Sequence, residues 1–96
     1  MKRTDPQPIG KYIDEIFNSP DIRAKIAEGS LPETWRKVVG TAIAEQTLQV
    51  RLVKGTLHVH VQSGVVRKEL MMQRDALVRA INAQSGVNLV ADILVR

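Results

Sequence analysis

His58 and His60 are the only two imidazoles in the chain, and their i, i+2 spacing within an alternating run places both on the polar face of a strand. A metal ion could bridge such a pair, but a stable site needs further ligands, and none with a suitable signature lies nearby in sequence. Two solvent-facing strand residues explain the pattern better. There is no cysteine, which removes thiolate nucleophiles, cysteine-based zinc sites and disulfides together. Ser19, Ser30, Ser63 and Ser85 all fall at expected helix caps or turns, so capping accounts for them better than nucleophilic attack does. Asp14 and Glu15 are neighbours on an outward helix face rather than a converging acid/base pair. Gly40, Gly55, Gly64 and Gly86 lack the spacing of a phosphate-binding loop. The residues therefore predict a protein that is not an enzyme and that needs neither cofactor nor metal.

Charge offers a different chemistry. Lys and Arg outnumber Asp and Glu 14 to 10, for a net charge of +4. Up to Ser30 the balance is zero, with Lys2, Arg3, Lys11, Arg23 and Lys25 against Asp5, Asp14, Glu15, Asp21 and Glu28. Downstream, Arg36, Lys37, Arg51, Lys54, Arg67, Lys68, Arg74, Arg79 and Arg96 face only Glu33, Glu45, Glu69, Asp75 and Asp92. Such an excess permits binding to a polyanion through counterion release. Five cations are best placed for phosphate contact: Arg51 and Lys54 on or near a hairpin, and Arg67, Lys68 and Arg74 on the helix after it. A merely solvated charged surface is the competing reading. Trp35 could stack on a base, but it shares a helical stripe with Val38, Val39 and Ile43, which favours core packing. With no aromatic-rich strand, contact should be with the nucleic-acid backbone rather than with bases.

The elements that position these residues follow from hydrophobic period. A chain of 96 residues supports one domain, expected over 8–96, preceded by a flexible stretch over 1–7 that contains Pro6. Ile9, Tyr12, Ile13, Ile16 and Phe17 recur at helical steps to about Asn18. Ser19-Pro20-Asp21 opens a second helix, with Ile22 and Ile26 inward and Gly29 as a left-handed cap. Ser30-Leu31-Pro32-Glu33 has capping-box spacing and starts a third helix, with Trp35, Val38, Val39, Ala42 and Ile43 inward. Gly40 lies inside this helix, which suggests close backbone packing, and the helix fades near Thr47.

The period then becomes two. Leu48, Val50 and Leu52 alternate with Gln49, Arg51 and Val53, and Leu57, Val59 and Val61 alternate with His58, His60 and Gln62. Lys54-Gly55 between them predicts an antiparallel hairpin. From Ser63 a long helix runs to Ser85-Gly86, with Val66, Leu70, Leu77 and Ile81 inward and Met71, Met72, Ala76 and Ala80 widening the stripe. Residues 87–96 alternate as a last strand, parallel to the second after the crossover. The expected class is α+β, a three-stranded mixed sheet with helices mainly on one face, in the order α-α-α-β-β-α-β. No signal-type segment and no 18-residue apolar run occurs, so no membrane association is expected and cytoplasm is the default address.

Trp35-Arg36-Lys37-Val38-Val39-Gly40, then Ala42-Ile43-Ala44-Glu45-Gln46-Thr47, then Gly55-Thr56-Leu57-His58-Val59-His60-Val61 resemble the pattern of the DciA family. Glu69-Leu70, Ile81-Asn82 and the closing Val90-Ala91-Asp92-Ile93-Leu94-Val95-Arg96 resemble its later motifs, so the likeness covers about residues 8–96. Val66 departs from the pattern, standing where the family often has a larger residue. The resemblance implies a KH-like core in a bacterial cytoplasmic protein that binds DNA, helps recruit or load the replicative helicase of the DnaB type, and performs no catalysis. An alternative of another class is a protein-interaction adaptor, receiving its partner on the exposed sheet face or on the unpaired edge of the final strand.

Overall fold

The computed structural model describes residues 19–96; the expected helix over 9–18 and the irregular stretch before it lie outside the described residues. Helix α1 (Pro20–Gly29) begins as its sequence demands. The Ser19 Oγ accepts the Ile22 N–H at 3.2 Å, Pro20 occupies the first turn, and Asp21 sits at the positive end of the helix dipole. Helix α2 (Leu31–Val39) follows through the single residue Ser30. That junction removes the expected capping box. Ser30 donates its N–H to the Ile26 and Ala27 carbonyls, closing α1, and holds φ −95°, ψ 4°, so its hydroxyl makes no cap bond to α2. Gly29 is accordingly an ordinary helical residue rather than a left-handed cap. The tight junction also presents the last turn of α1 to the core through Ala27, leaving Ile26 half exposed.

The expected third helix is two helices, α2 and α3 (Thr41–Glu45), broken at Gly40. Gly40 adopts φ 90°, ψ 167°, a region essentially restricted to glycine. A Cβ there would meet nothing within 4 Å, so the glycine serves backbone conformation and not close packing. Past the break Ala42 is exposed, outside the stripe expected for it.

Strands β1 (Thr47–Val53) and β2 (Thr56–Val61) form the expected antiparallel hairpin, closed by Lys54 (φ 49°) and Gly55 (φ 82°), the two positive φ values of a type I′ turn. A bulge between Thr47 and Gln49 takes Leu48 out of the inward series, and it is 57% exposed. Helix α4 (Gly64–Met72) starts with the Ser63 Oγ accepting the Val66 N–H at 3.3 Å. The long helix then breaks at Gln73 (φ −108°, ψ 24°) before α5 (Arg74–Ser85). The bend lets α4 pack on β2 and β3 while α5 packs on α2 and β3. It also turns Met72, Ala76 and Ala80 to solvent. Gly86 ends α5 in the left-handed conformation, as expected.

Strand β3 (Asp92–Val95) is shorter than its alternating sequence suggests, because Asn82 of α5 claims the residues before it. Its Oδ1 accepts the Leu89 and Val90 N–H groups at 3.1 and 2.9 Å, and its Nδ2 donates to the Val90 carbonyl at 2.8 Å. The sheet order is β1-β2-β3, with β2 and β3 parallel, so the described residues form the α+β mixed sheet expected of them. Leu57, Val59, Val61 and Ile93 meet Trp35, Leu70, Leu77 and Ile81 on the helix-covered face. Each of these large side chains adds about 1.5–3 kcal/mol by leaving water.

Candidate nucleic-acid interface

Because side chains alternate along a strand, the residues between the core positions of β2 must point away from the helices. Paired register places three rows across that outer face. One row runs Arg51, His58, Leu94 from β1 through β2 to β3; a second runs Val53, Thr56, Asp92; in the third Gln49 lies opposite His60. The third row continues to Arg96, whose N–H donates to the Val59 carbonyl at 2.9 Å and whose carbonyl accepts the Val61 N–H at 2.8 Å, bracketing His60. Asp92 is the one carboxylate among the residues of the three strands, and it is engaged by the Arg74 Nε at 3.2 Å.

The five cations singled out in the sequence do not form one cluster. Arg51 is exposed on the outer face of β1, and Lys54 is exposed in the hairpin turn. Arg74 joins this end of the sheet through Asp92, which pairs with Thr56 directly after the turn. Arg67 sits at the other end, its Nη1 directed at the Val61 carbonyl over a long 3.5 Å, and Lys68 beside it is exposed. The five residue steps from Thr56 to Val61 rise about 16 Å, which separates the two groups. Arg67, Lys68 and Arg74 were expected on one helix; the break at Gln73 puts Arg74 on a second.

Other residues of this surface escaped the sequence reading. Arg96 is not among the five cations expected at phosphates, since nothing local shows that the ladder continues through it to His60. His58 is half buried between Arg51 and Leu94, with its Nδ1 shielded from solvent and without a hydrogen-bond partner, while His60 is exposed. Among the described residues, no group of three or more His, Asp or Glu side chains could hold a metal, and no helix is long and apolar enough to cross a membrane. Trp35 is 1% exposed and donates its Nε1–H to the Thr47 Oγ1 at 2.9 Å, which removes it as a stacking platform.

The two borders of the sheet differ. The outward N–H groups of β3 are occupied, that of Ile93 by the Asp92 Oδ1 at 2.8 Å and that of Val95 by the Met71 Sδ at 3.3 Å. Among the described residues β1 has no strand beyond it, and beside it runs a groove of about 380 Å³ lined by Pro32, Trp35, Leu48 and Val50 among others.

Residues 8–95 match the family model described as Dna[CI] antecedent, DciA, which is nearly the whole chain. The chain belongs to the DciA family. It is 33% identical over 89 residues to the UPF0232 protein in the recF-gyrB intergenic region of Mycolicibacterium smegmatis, covering 93% of this chain and 46% of that protein. It is likewise 30% identical to a UPF0232 protein of Mycolicibacterium paratuberculosis and 32% identical to one of Mycobacterium bovis, covering 49% and 48% of them. This DciA chain thus spans about half the length of the curated relatives it matches.

Proposed function

We propose that this DciA domain is a non-enzymatic DNA-binding module that helps recruit or load the bacterial replicative helicase in the cytoplasm. Family membership supports the helicase connection and the KH-like character of the core. The observation that supports the DNA contact is electrostatic. Of the Lys and Arg residues downstream of Ser30, Arg74 is the one held in a salt bridge among the described residues, so most of the positive excess is left for an external anion. Arg51, Lys54, Arg67, Lys68 and Arg74 are the proposed phosphate contacts. Their separation into two groups suits a ligand long enough to cross the sheet.

Titration of labelled DNA at increasing salt tests this reading. Affinity is expected to fall with a log–log slope of about −0.7 to −0.9 for each phosphate contacted. The double variant Arg67→Ala/Lys68→Ala should bind more weakly and with a shallower slope. Absence of binding at low salt would refute the DNA contact, and a reconstituted loading assay with the replicative helicase would test the role itself.

The adaptor reading retains one observation in its favour, the open border of β1. Strand addition was expected at the final strand, but its outward amides are already occupied, so an extended partner segment would have to pair with β1. Capture of purified helicase that survives nuclease treatment favours the adaptor; capture that disappears favours bridging by DNA.

A further inference from the structure

We infer that the outer face of the sheet is a stacking platform for single-stranded DNA, with His58 and His60 receiving bases and Arg51 and Arg96 receiving phosphates. The inference rests on the DNA-binding reading and gives it a face and a strandedness. His58 and His60 project from the central strand on the side that none of the described helices covers. Two residues apart, they stand about 6.5 Å from one another along the strand. Imidazole rings are among the planar groups on which unpaired bases stack. Arg51 is paired directly with His58 on one flank, and Arg96 brackets His60 on the other, so each ring has a guanidinium-bearing neighbour one strand away.

The rest of the face fits the same ligand. Leu94, beside His58, is 39% exposed, and Val53 is 40% exposed, an apolar lining that a phosphate-clad duplex exterior would leave unused. A single strand turns its bases outward and can cover such a lining. Thymine adds a C5 methyl for apolar side chains to touch, which uracil lacks, and this favours DNA. The sole carboxylate of the three strands, Asp92, lies at the turn end and is engaged by Arg74, so nothing beside His58 and His60 on the sheet repels a phosphate.

Fluorescence anisotropy with labelled oligothymidylate, a duplex of equal length and oligouridylate tests the platform, with urea unfolding as a control that each variant is folded. Oligothymidylate should bind more tightly than either competitor. His58→Ala/His60→Ala should weaken oligothymidylate binding by roughly tenfold or more, with the salt slope unchanged. His60→Phe, which keeps a stacking surface and removes the ring nitrogens, should retain affinity, an outcome that a phosphate-contacting histidine would not give. Arg51→Ala/Arg96→Ala should instead reduce the slope by about 1.4, two single-strand phosphate contacts. Equal or tighter duplex binding, tighter oligouridylate binding, or oligothymidylate binding that both sheet variants leave intact while Arg67→Ala/Lys68→Ala abolishes it, overturns the platform and leaves the DNA-binding reading standing. If the unaltered protein binds no nucleic acid at all, both readings fall together.

Discussion

The Thr47 hydroxyl accepts from the Trp35 indole and donates to the Ile43 carbonyl, both at 2.9 Å, so one oxygen joins α2, α3 and β1. Thr47→Val keeps the shape and removes the acceptor, leaving a buried indole N–H without a partner. The expected loss is about 1–3 kcal/mol, read as a lower urea midpoint at unchanged m-value, while Thr47→Ser retains most of the stability. Trp35 is the only tryptophan, so its own fluorescence reports the transition. Its burial was legible from the stripe it shares with Val38 and Ile43. Its hydrogen-bond partner was not, because Thr47 lies twelve residues away at the start of another element. Asn82 is a similar case. In sequence it is a polar residue near a helix end, and only the folded chain shows it holding the backbone of Leu89 and Val90.

At the scale of elements, the strands were legible and the helix breaks were not. Alternation in β2 determines its faces without ambiguity, since shifting it by one residue would bury both histidines and expose Leu57, Val59 and Val61. A helical stripe can run on across a single-residue interruption, so Gly40 and Gln73 left no mark on the period. Gly40 did announce itself as a residue unfavourable within a helix, yet that signal has two causes, close packing and unusual backbone, and the structure shows the second. Gly40→Ala should therefore cost about 1–3 kcal/mol through backbone strain alone. Shortening neighbouring side chains to make room would give no rescue, and a double-mutant cycle of Gly40→Ala with Val38→Ala or Ile43→Ala measures this. The Leu48 bulge was hidden for a related reason: an extra residue in a strand is visible only against the partner it fails to match.

For the molecule as a whole, the sheet divides labour between its sides. One face is packed against α2, α4 and α5, and the other carries exposed cations, the exposed His60 and the half-buried His58. Leu57→Ala on the packed side should cost about 2–5 kcal/mol in urea unfolding. Arg51→Ala on the open side should stay within about 0.5 kcal/mol of the parent, and its effect should appear in binding instead. The candidate site was half legible in sequence for the same reason. Arg51 and the histidines belong to an alternating pattern that assigns them a face, whereas the placing of Arg67 and Arg74 at opposite ends of β2 depends on the helix break at Gln73, which no local pattern encodes. The occupied outward amides of β3 bear on what happens when copies of this chain crowd together. Among the described residues the outward N–H groups of β3 are already engaged, so strand pairing between two copies is favoured border to border through β1 and disfavoured at β3. Occupied donors at β3 thus discourage growth by strand addition beyond a pair.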